Sequence, residues 1–268
     1  MKLAFSTLGC PDWSIEKIAE FAGAQGFDGV ELRTHDDGNH FSTGASVEEA
    51  AKVGELFRSK GSQVFSLMCY TRFSSADPAE LAANRDKLLG ILDLAKSVGA
   101  GFVRTFAGDF GGKKTKEQAI NEAAEYLAPC AARGRELGVE LGVETHDAWC
   151  DAANIRALQD AVGGGLGAVW DFVNAVGSTG KSAVEQYADL KGTVLYCHVK
   201  DKAPGPDGKS VYVPVGTGRM PVKEAVDILK ADGQDLFLSF EHEKKWHPEL
   251  PEPEEAFPAY IEYMRGIL

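Results

Sequence analysis

Seven times along this chain a helical pattern runs out at a glycine, and an apolar, strand-like run begins a few residues later. The glycines are Gly26, Gly61, Gly99, Gly138, Gly163, Gly192 and Gly233. Glycine enters the left-handed conformation that turns a chain off a helix C-terminus without steric cost. A joint repeated this often implies strand and helix in strict alternation, and hence a parallel sheet with helices on its faces.

The segments between the joints support this. Strands are expected at Leu3–Thr7, Gly29–Arg33, Val64–Met68, Phe102–Phe106, Val139–Glu144, Gly167–Asp171, Thr193–Val199 and Leu236–Glu241. Helix one carries Ile15, Ile18, Phe21 and Ala22 at helical spacing. Ser46 with Glu49 spells a capping box, and Asp77-Pro78 with Glu80 spells an N-cap with proline at the first helical position. Thr115 and Gln118 open helix four, where Pro129 predicts a kink or break. Later helices are expected near 153–161, 183–190, from Pro221, and over 254–267. Eight strand–helix units in 268 residues predict a single (β/α)8 TIM barrel, one domain over 1–268, with an open doubly wound sheet as the competitor. The loops after strands two, four and seven (35–45, 107–114 and 202–220) are long, and in such a barrel they lie at the C-terminal face, where active sites form.

Net charge is −12, which argues against nucleic-acid binding because that needs a basic face. Five cysteines form no C-x-x-C pair, so inert thiols in a reducing, cytoplasmic compartment are expected rather than disulfides or a zinc knuckle. The apolar stretch before Cys10 is too short for a signal h-region and reads as strand one. No run approaches the roughly 18 apolar residues of a membrane span.

The last four strands share a further feature. Each is an apolar run that stops at an ionisable residue: Glu144, Asp171, His198 and Glu241. A strand buried on both faces reads as continuous apolar sequence. A charge there is costly unless it is paired or bound to a metal. Adjacent strands would bring the four together as three carboxylates and one imidazole. That set suits one divalent ion such as Mn²⁺, Mg²⁺, Co²⁺ or Zn²⁺, and its lack of thiolate argues against a structural zinc. Three negative charges around a dication leave one in excess, so a neutral polyol or ketose needs no counter-charge. Glu31, Arg33, His35, Arg104 and His146 also lie at strand ends and are candidates to hydrogen-bond a polyol. Trp13, Phe106, Trp149 and Trp246 are candidates for an apolar wall, and Gly216–Gly218 for a phosphate cradle of backbone N–H groups.

The series ETH at Glu144, VWDFVNA at Asp171, CHVKD at His198 and SFEHE at Glu241 resembles the xylose-isomerase-like barrel superfamily. Its sugar phosphate isomerase/epimerase group is the most similar, and GVELR on strand two fits as well. The resemblance implies that the four positions bind one divalent metal and that Glu144 and Glu241 are also the acid/base pair. The ion would chelate two oxygens of an α-hydroxyketone and stabilise the enediolate left when a carbon proton departs. One glutamate would take that proton and the other return it. Lys200 and Asp201 also match the group, which makes Lys200 a ligand for a substrate oxygen. Two positions depart from it: Asn174 stands where many epimerases have a histidine, and Pro204 where they have an arginine, both normally facing substrate oxygens. The related apurinic endonucleases need extra histidines that this chain lacks. The resemblance thus implies a metal-dependent isomerase or epimerase of a sugar or polyol ketone, free or phosphorylated, in a homodimer or homotetramer. The alternatives are a lyase such as an inosose dehydratase, and a barrel that binds a sugar without turning it over.

Overall fold

The computed structural model describes residues 1–110 and 115–268. The barrel strands are β1 (Lys2–Ser6), β2 (Gly29–His35), β3 (Val64–Met68), β4 (Phe102–Thr105), β5 (Glu140–Glu144), β6 (Leu166–Asp171), β7 (Val194–Val199) and β8 (Phe237–Phe240). Each pairs in parallel with the next, and β1 pairs with both β2 and β8. The sheet is therefore closed, a (β/α)8 barrel, and the open-sheet competitor is excluded. The helices are α1 (Ile15–Gln25), α2 (Val47–Ser59), α3 (Pro78–Val98), α4 (Lys116–Leu137), α5 (Ala152–Val162), α6 (Phe172–Thr179), α7 (Ala183–Leu190), α8 (Val222–Ala231) and α9 (Pro253–Ile267).

The glycine joints behave as their chemistry requires. Gly26, Gly99, Gly138 and Gly163 are left-handed C-caps. Gly61, Gly192 and Gly233 have positive φ one residue beyond the cap. The capping boxes at Ser46/Glu49 and Thr115/Gln118 form, and Asp77 caps α3. The expected break at Pro129 does not occur: α4 runs through it. Proline removes only one N–H from the ladder, and Ala123, Ala124 and Leu127 before it and Cys130 and Ala131 after it stay buried.

Three elements were not foreseen. Helix α6 starts directly on the last residue of β6. A short strand, Phe41–Ser42, pairs with the end of β2, and Lys202–Pro204 pairs with Ser210–Tyr212 as a hairpin after β7. The long loop after β4 lies partly outside the described residues.

Inside the barrel the floor is apolar. Ala4, Phe65, Val169, Tyr196 and Phe237 form it, with Phe102 and Leu195 packed alongside, and Phe65 stacks on Phe237 with ring centroids 4.2 Å apart. Room for these side chains comes from two inward glycines. A Cβ on Gly167 would stand 2.4 Å from Leu195 Cγ, and one on Gly142 would stand 2.9 Å from Val169 Cγ2. All five cysteines are buried and unpaired. Among the described residues no helix is long and apolar enough to cross a membrane.

Candidate metal centre

One layer above the apolar floor, the interior turns polar. Side chains alternate in and out along a strand. Inward Gly142 is thus followed by inward Glu144, inward Val169 by Asp171, inward Tyr196 by His198, and inward Ser239 by Glu241. Pairing register sets their heights: Asp171 lies opposite His198, His198 opposite Ser239, and Glu144 opposite Val169. Thr145 locks β5 to β6, donating its N–H to Val169 O and its hydroxyl to Asp171 O, both at 3.0 Å. One ligand atom from each of Glu144, Asp171, His198 and Glu241 lies within 4.8 Å of every other, and all four residues are buried.

The four residues fit a divalent ion. Ligands bound at about 2.1 Å stand about 3.4 Å apart around a tetrahedral ion and up to about 4.2 Å apart across an octahedral one, so separations of up to 4.8 Å close onto an ion with side-chain shifts of about an ångström. Glu144 Oε1 and His198 Nδ1 are buried 3.3 Å apart with no well-aligned hydrogen bond among the described residues, and Glu144 Oε2 and Asp171 Oδ2 meet only the cations Arg104 and Lys200. Buried polar atoms in that condition are costly unless something else satisfies them. The tetrad is positioned to coordinate a single divalent ion. Asp171 divides its work: Oδ1 accepts the Asn174 N–H at 2.8 Å and caps α6, while Oδ2 faces the centre.

Two cations balance the acids. Arg104 Nε lies 2.9 Å from Glu144 Oε2, and its Nη2 lies 3.8 Å from Glu241 Oε1. Arg104 also donates to Cys69 O at 2.8 Å and lies under the Phe106 ring. Lys200 is buried, not a surface lysine. Its Nζ reaches Glu241 Oε2 at 2.5 Å, Asp171 Oδ2 at 2.7 Å and Glu243 Oε1 at 3.1 Å.

These contacts set the protonation states. Burial alone would raise the Glu144 carboxyl, but the Arg104 and His198 charges together outweigh it and hold it well below the usual carboxylate range. Glu241 is likewise lowered against burial by His198 and Lys200. Burial prevails at Asp171 and raises it, with Lys200 offsetting only part. Burial also raises Glu243, and the Glu241 charge adds to it. Tyr70, facing the two arginines Arg33 and Arg104, is pushed up to about 12, chiefly by burial.

Above the tetrad opens a cavity of about 460 Å³, lined among others by Arg33, His35, Tyr70, Arg72, Arg104, Phe106, His146, Tyr212, Glu241, Glu243, Trp246 and His247. A groove of about 270 Å³ at the opposite end of the barrel is lined mainly by glycine and loop residues, with Arg135 and Glu140 as its charged side chains. It lacks the convergent acids of the C-terminal face.

Arg33, His35, Arg104 and His146 thus face the cavity. Arg33 is held by Asp37 through two 2.8 Å contacts, and His146 pairs with Asp147 at 3.0 Å. Asn174 sits in the first turn of α6, half-buried. Glu31 lies within the barrel, fully buried, bonded to Tyr196, His198 and Ser239. Of the aromatic candidates, Phe106 and Trp246 line the cavity. Trp13 packs against Phe21 outside the barrel, and Trp149 is buried beside Phe110. The Gly216 and Gly218 amides cannot cradle a phosphate, because both already donate to Asp201 Oδ2 at 2.9 Å. Tyr212, Glu243 and His247 escaped sequence reasoning. Glu243 was detectable, two residues beyond Glu241; Tyr212 ends the short hairpin strand Ser210–Tyr212 and His247 lies after β8, neither with a periodic signal.

Comparison with curated protein sequences finds no match. Solved structures superpose closely at low identity, which shows the fold alone. The probable 3-DHS dehydratase AsbF of Bacillus anthracis is 18% identical with a TM-score of 0.80, covering 99% of each chain. The IOLI protein, solved with a bound zinc atom, is 18% identical with a TM-score of 0.81, covering 100% of this chain and 98% of its own. A D-psicose 3-epimerase, solved in the presence of D-fructose, is 16% identical with a TM-score of 0.79, covering 100% and 99%. The buried tetrad therefore stands in a fold that sugar epimerases and a dehydratase also use. The family described as xylose isomerase-like TIM barrel matches residues 19–267, nearly the whole sequence, and the chain belongs to that family.

Proposed function

We propose that this protein is a divalent-metal-dependent isomerase or epimerase of a sugar or polyol ketone. One observation carries the reading: two carboxylates from non-adjacent strands flank the same point. His198 Nδ1 stands 3.3 Å from Glu144 Oε1 and 3.3 Å from Glu241 Oε1. Bound there, a divalent ion supplies Lewis acidity toward the oxygens of an α-hydroxyketone.

The protein's own groups do the rest. Glu144 and Glu241 are both held ionised at neutral pH, so either can accept a proton from carbon. Approaching from β5 and β8, they reach different sides of a substrate, and the proton taken by one is replaced through the other. Such acid–base help is worth about 10²–10⁴-fold. Arg104 touches both and limits their mutual repulsion. Lys200, its three N–H groups directed at Asp171, Glu241 and Glu243, keeps those acids charge-paired behind the cavity wall and can turn one donor to a substrate oxygen only by giving up one of them. His146, Tyr70 and Tyr212 give the wall donors and acceptors for hydroxyls, and Phe106 and Trp246 give it flat apolar faces. A cavity of about 460 Å³ is within the usual range for small-molecule sites, which is about 300–1,000 Å³.

A lyase is the second reading, and His146 favours it. An expelled hydroxyl leaves more readily when hydrogen-bonded, and His146 on the cavity wall offers a ring nitrogen for that besides the glutamates.

The test is a screen of ketoses, inososes and their phosphates for metal-dependent exchange of a carbon-bound proton with D₂O, following elemental analysis of the purified protein. Glu144→Gln and Glu241→Gln should each lower exchange by about 10²-fold or more. Product that has lost water would favour the lyase. A ligand bound equally well by wild type and both variants, with no exchange or turnover under any metal, would leave only a sugar-binding barrel.

A further inference from the structure

Glu31 has no place in the proton chemistry just described, yet it is a carboxylate at 0% exposure in the middle of the barrel. A buried charge there is destabilising unless it is well bonded. Its partners come from strands far away in sequence. Tyr196 donates its hydroxyl to Oε1 at 2.5 Å, and Ser239 donates to Oε2 at 2.9 Å. His198 Nε2 also stands 3.0 Å from Oε2. Ser66 lies 3.0 Å from the Tyr196 hydroxyl and extends the chain of bonds to β3.

The two ring nitrogens of His198 thus face opposite ways. Nε2 points down to Glu31, while Nδ1 points up between Glu144 and Glu241, 3.3 Å from an oxygen of each. With an ion bound, a proton on Nε2 satisfies Glu31 and the Nδ1 lone pair goes to the ion. That arrangement serves both ends at once.

We infer that Glu31 is a positioning residue for the metal: it fixes the tautomer and ring orientation of His198 so that Nδ1 is the ligating atom, and Tyr196 and Ser239 hold Glu31 in place. The inference rests on the tetrad binding a divalent ion. A carboxylate behind a ligating imidazole also makes the ring a stronger donor, and loss of such a partner typically weakens metal binding by about 10–100-fold. Direct contact with substrate is a different role, because Glu31 lies below the histidine and does not line the cavity.

The test uses full-length protein stripped with chelator and titrated with Mn²⁺ by calorimetry, and with Co²⁺ by its visible absorption. Glu31→Gln keeps the shape and removes the charge. It should weaken Mn²⁺ binding about tenfold or more and alter the Co²⁺ spectrum, while the chelator-treated variant still melts cooperatively. If Glu31→Gln does not fold, the double variant Tyr196→Phe/Ser239→Ala, which leaves Glu31 held by His198 alone, should weaken Mn²⁺ severalfold. A folded variant with wild-type Mn²⁺ affinity and Co²⁺ spectrum would overturn the inference, even if its melting temperature in chelator fell, because that pattern is a purely structural role. Wild-type protein that binds neither ion would overturn the metal centre as well, and the two failures are thereby distinguished.

Discussion

Asp201 is the residue on which the loop over the barrel mouth depends, and its removal gives a sharp test. Its carboxylate is 2% exposed and accepts four backbone N–H groups, two on each oxygen. Lys202 and Met220 donate to Oδ1 at 2.8 and 3.1 Å, and Gly216 and Gly218 donate to Oδ2 at 2.9 Å each. One side chain thus gathers both ends of the 202–220 segment, which carries Tyr212 into the cavity. A hydrogen bond to a charged group contributes about 1.5–3 kcal/mol. Several of these amides can find water once the carboxylate is gone, so about half of the low-end sum, or about 3 kcal/mol, is expected for Asp201→Ala. At about 2–4 °C per kcal/mol for a chain of this size, the melting temperature should fall by about 6–12 °C. Asp201→Asn should recover little of this, because its amide nitrogen would face two donors. Calorimetry in chelator measures the shift without metal linkage, and tryptic cleavage at exposed Lys209 reports the loop. A fall below about 2 °C with unchanged cleavage would refute the assignment of Asp201 as the organiser.

Three further outcomes follow from the same structure. Gly167→Ala drives a Cβ to 2.4 Å from Leu195 Cγ and should destabilise by about 1–3 kcal/mol; denaturant unfolding would show Leu195→Ala in the same chain restoring part of the loss, and simple additivity of the two would contradict the clash. His40 is held down to about 4 from the ordinary 6.5, chiefly by burial. Its neutral form is the folded one, so up to about 3 kcal/mol of stability present above pH 6.5 should drain away as pH falls towards 4. His40 has a φ of 67°, so His40→Asn, which tolerates that conformation, should flatten that slope in urea midpoints. A divalent ion at 100 times its Kd should stabilise by about 2.7 kcal/mol, seen as a rise in melting temperature that Asp171→Asn largely abolishes.

The barrel was legible because its signals are local. A glycine at each helix end and an apolar run after it are written in consecutive residues, and closure follows from counting eight. The tetrad was legible for the same reason: an ionisable residue ending an apolar run is anomalous wherever the run is buried. Glu31 shows where this stops. GVELR reads as a strand with an acid in it, and nothing in those five residues tells whether the acid faces a cavity or the barrel centre. That depends on Tyr196 and Ser239, more than 160 residues away. Gly216–Gly218 fails likewise: free amides and amides already spent on Asp201 have one sequence. Helix α6 was hidden because its N-cap, Asp171, was already read as a metal ligand, and one carboxylate does both.

The charges around the tetrad bear on what metal removal does. Glu31, Glu144, Asp171, Glu241 and Glu243 place five carboxyl groups in or at the mouth of one barrel. Left alone they would repel each other strongly at low dielectric. Arg104 and Lys200 lie among them, each buried, and bring positive charge to Glu144, Asp171 and Glu241 without any ion. The barrel should therefore remain folded in chelator, with metal adding stability rather than creating it. Lys200 tests this most directly. Lys200→Met leaves Asp171 and Glu241 without their nearest cation, and stranding buried charges in this way typically costs about 3–5 kcal/mol. The loss should be large in chelator and smaller with saturating Mn²⁺, since the ion supplies positive charge to the same two carboxylates. An equal loss in both conditions, measured by calorimetry, would mean that Lys200 and the ion do not share ligands, and the centre would have to be sought elsewhere.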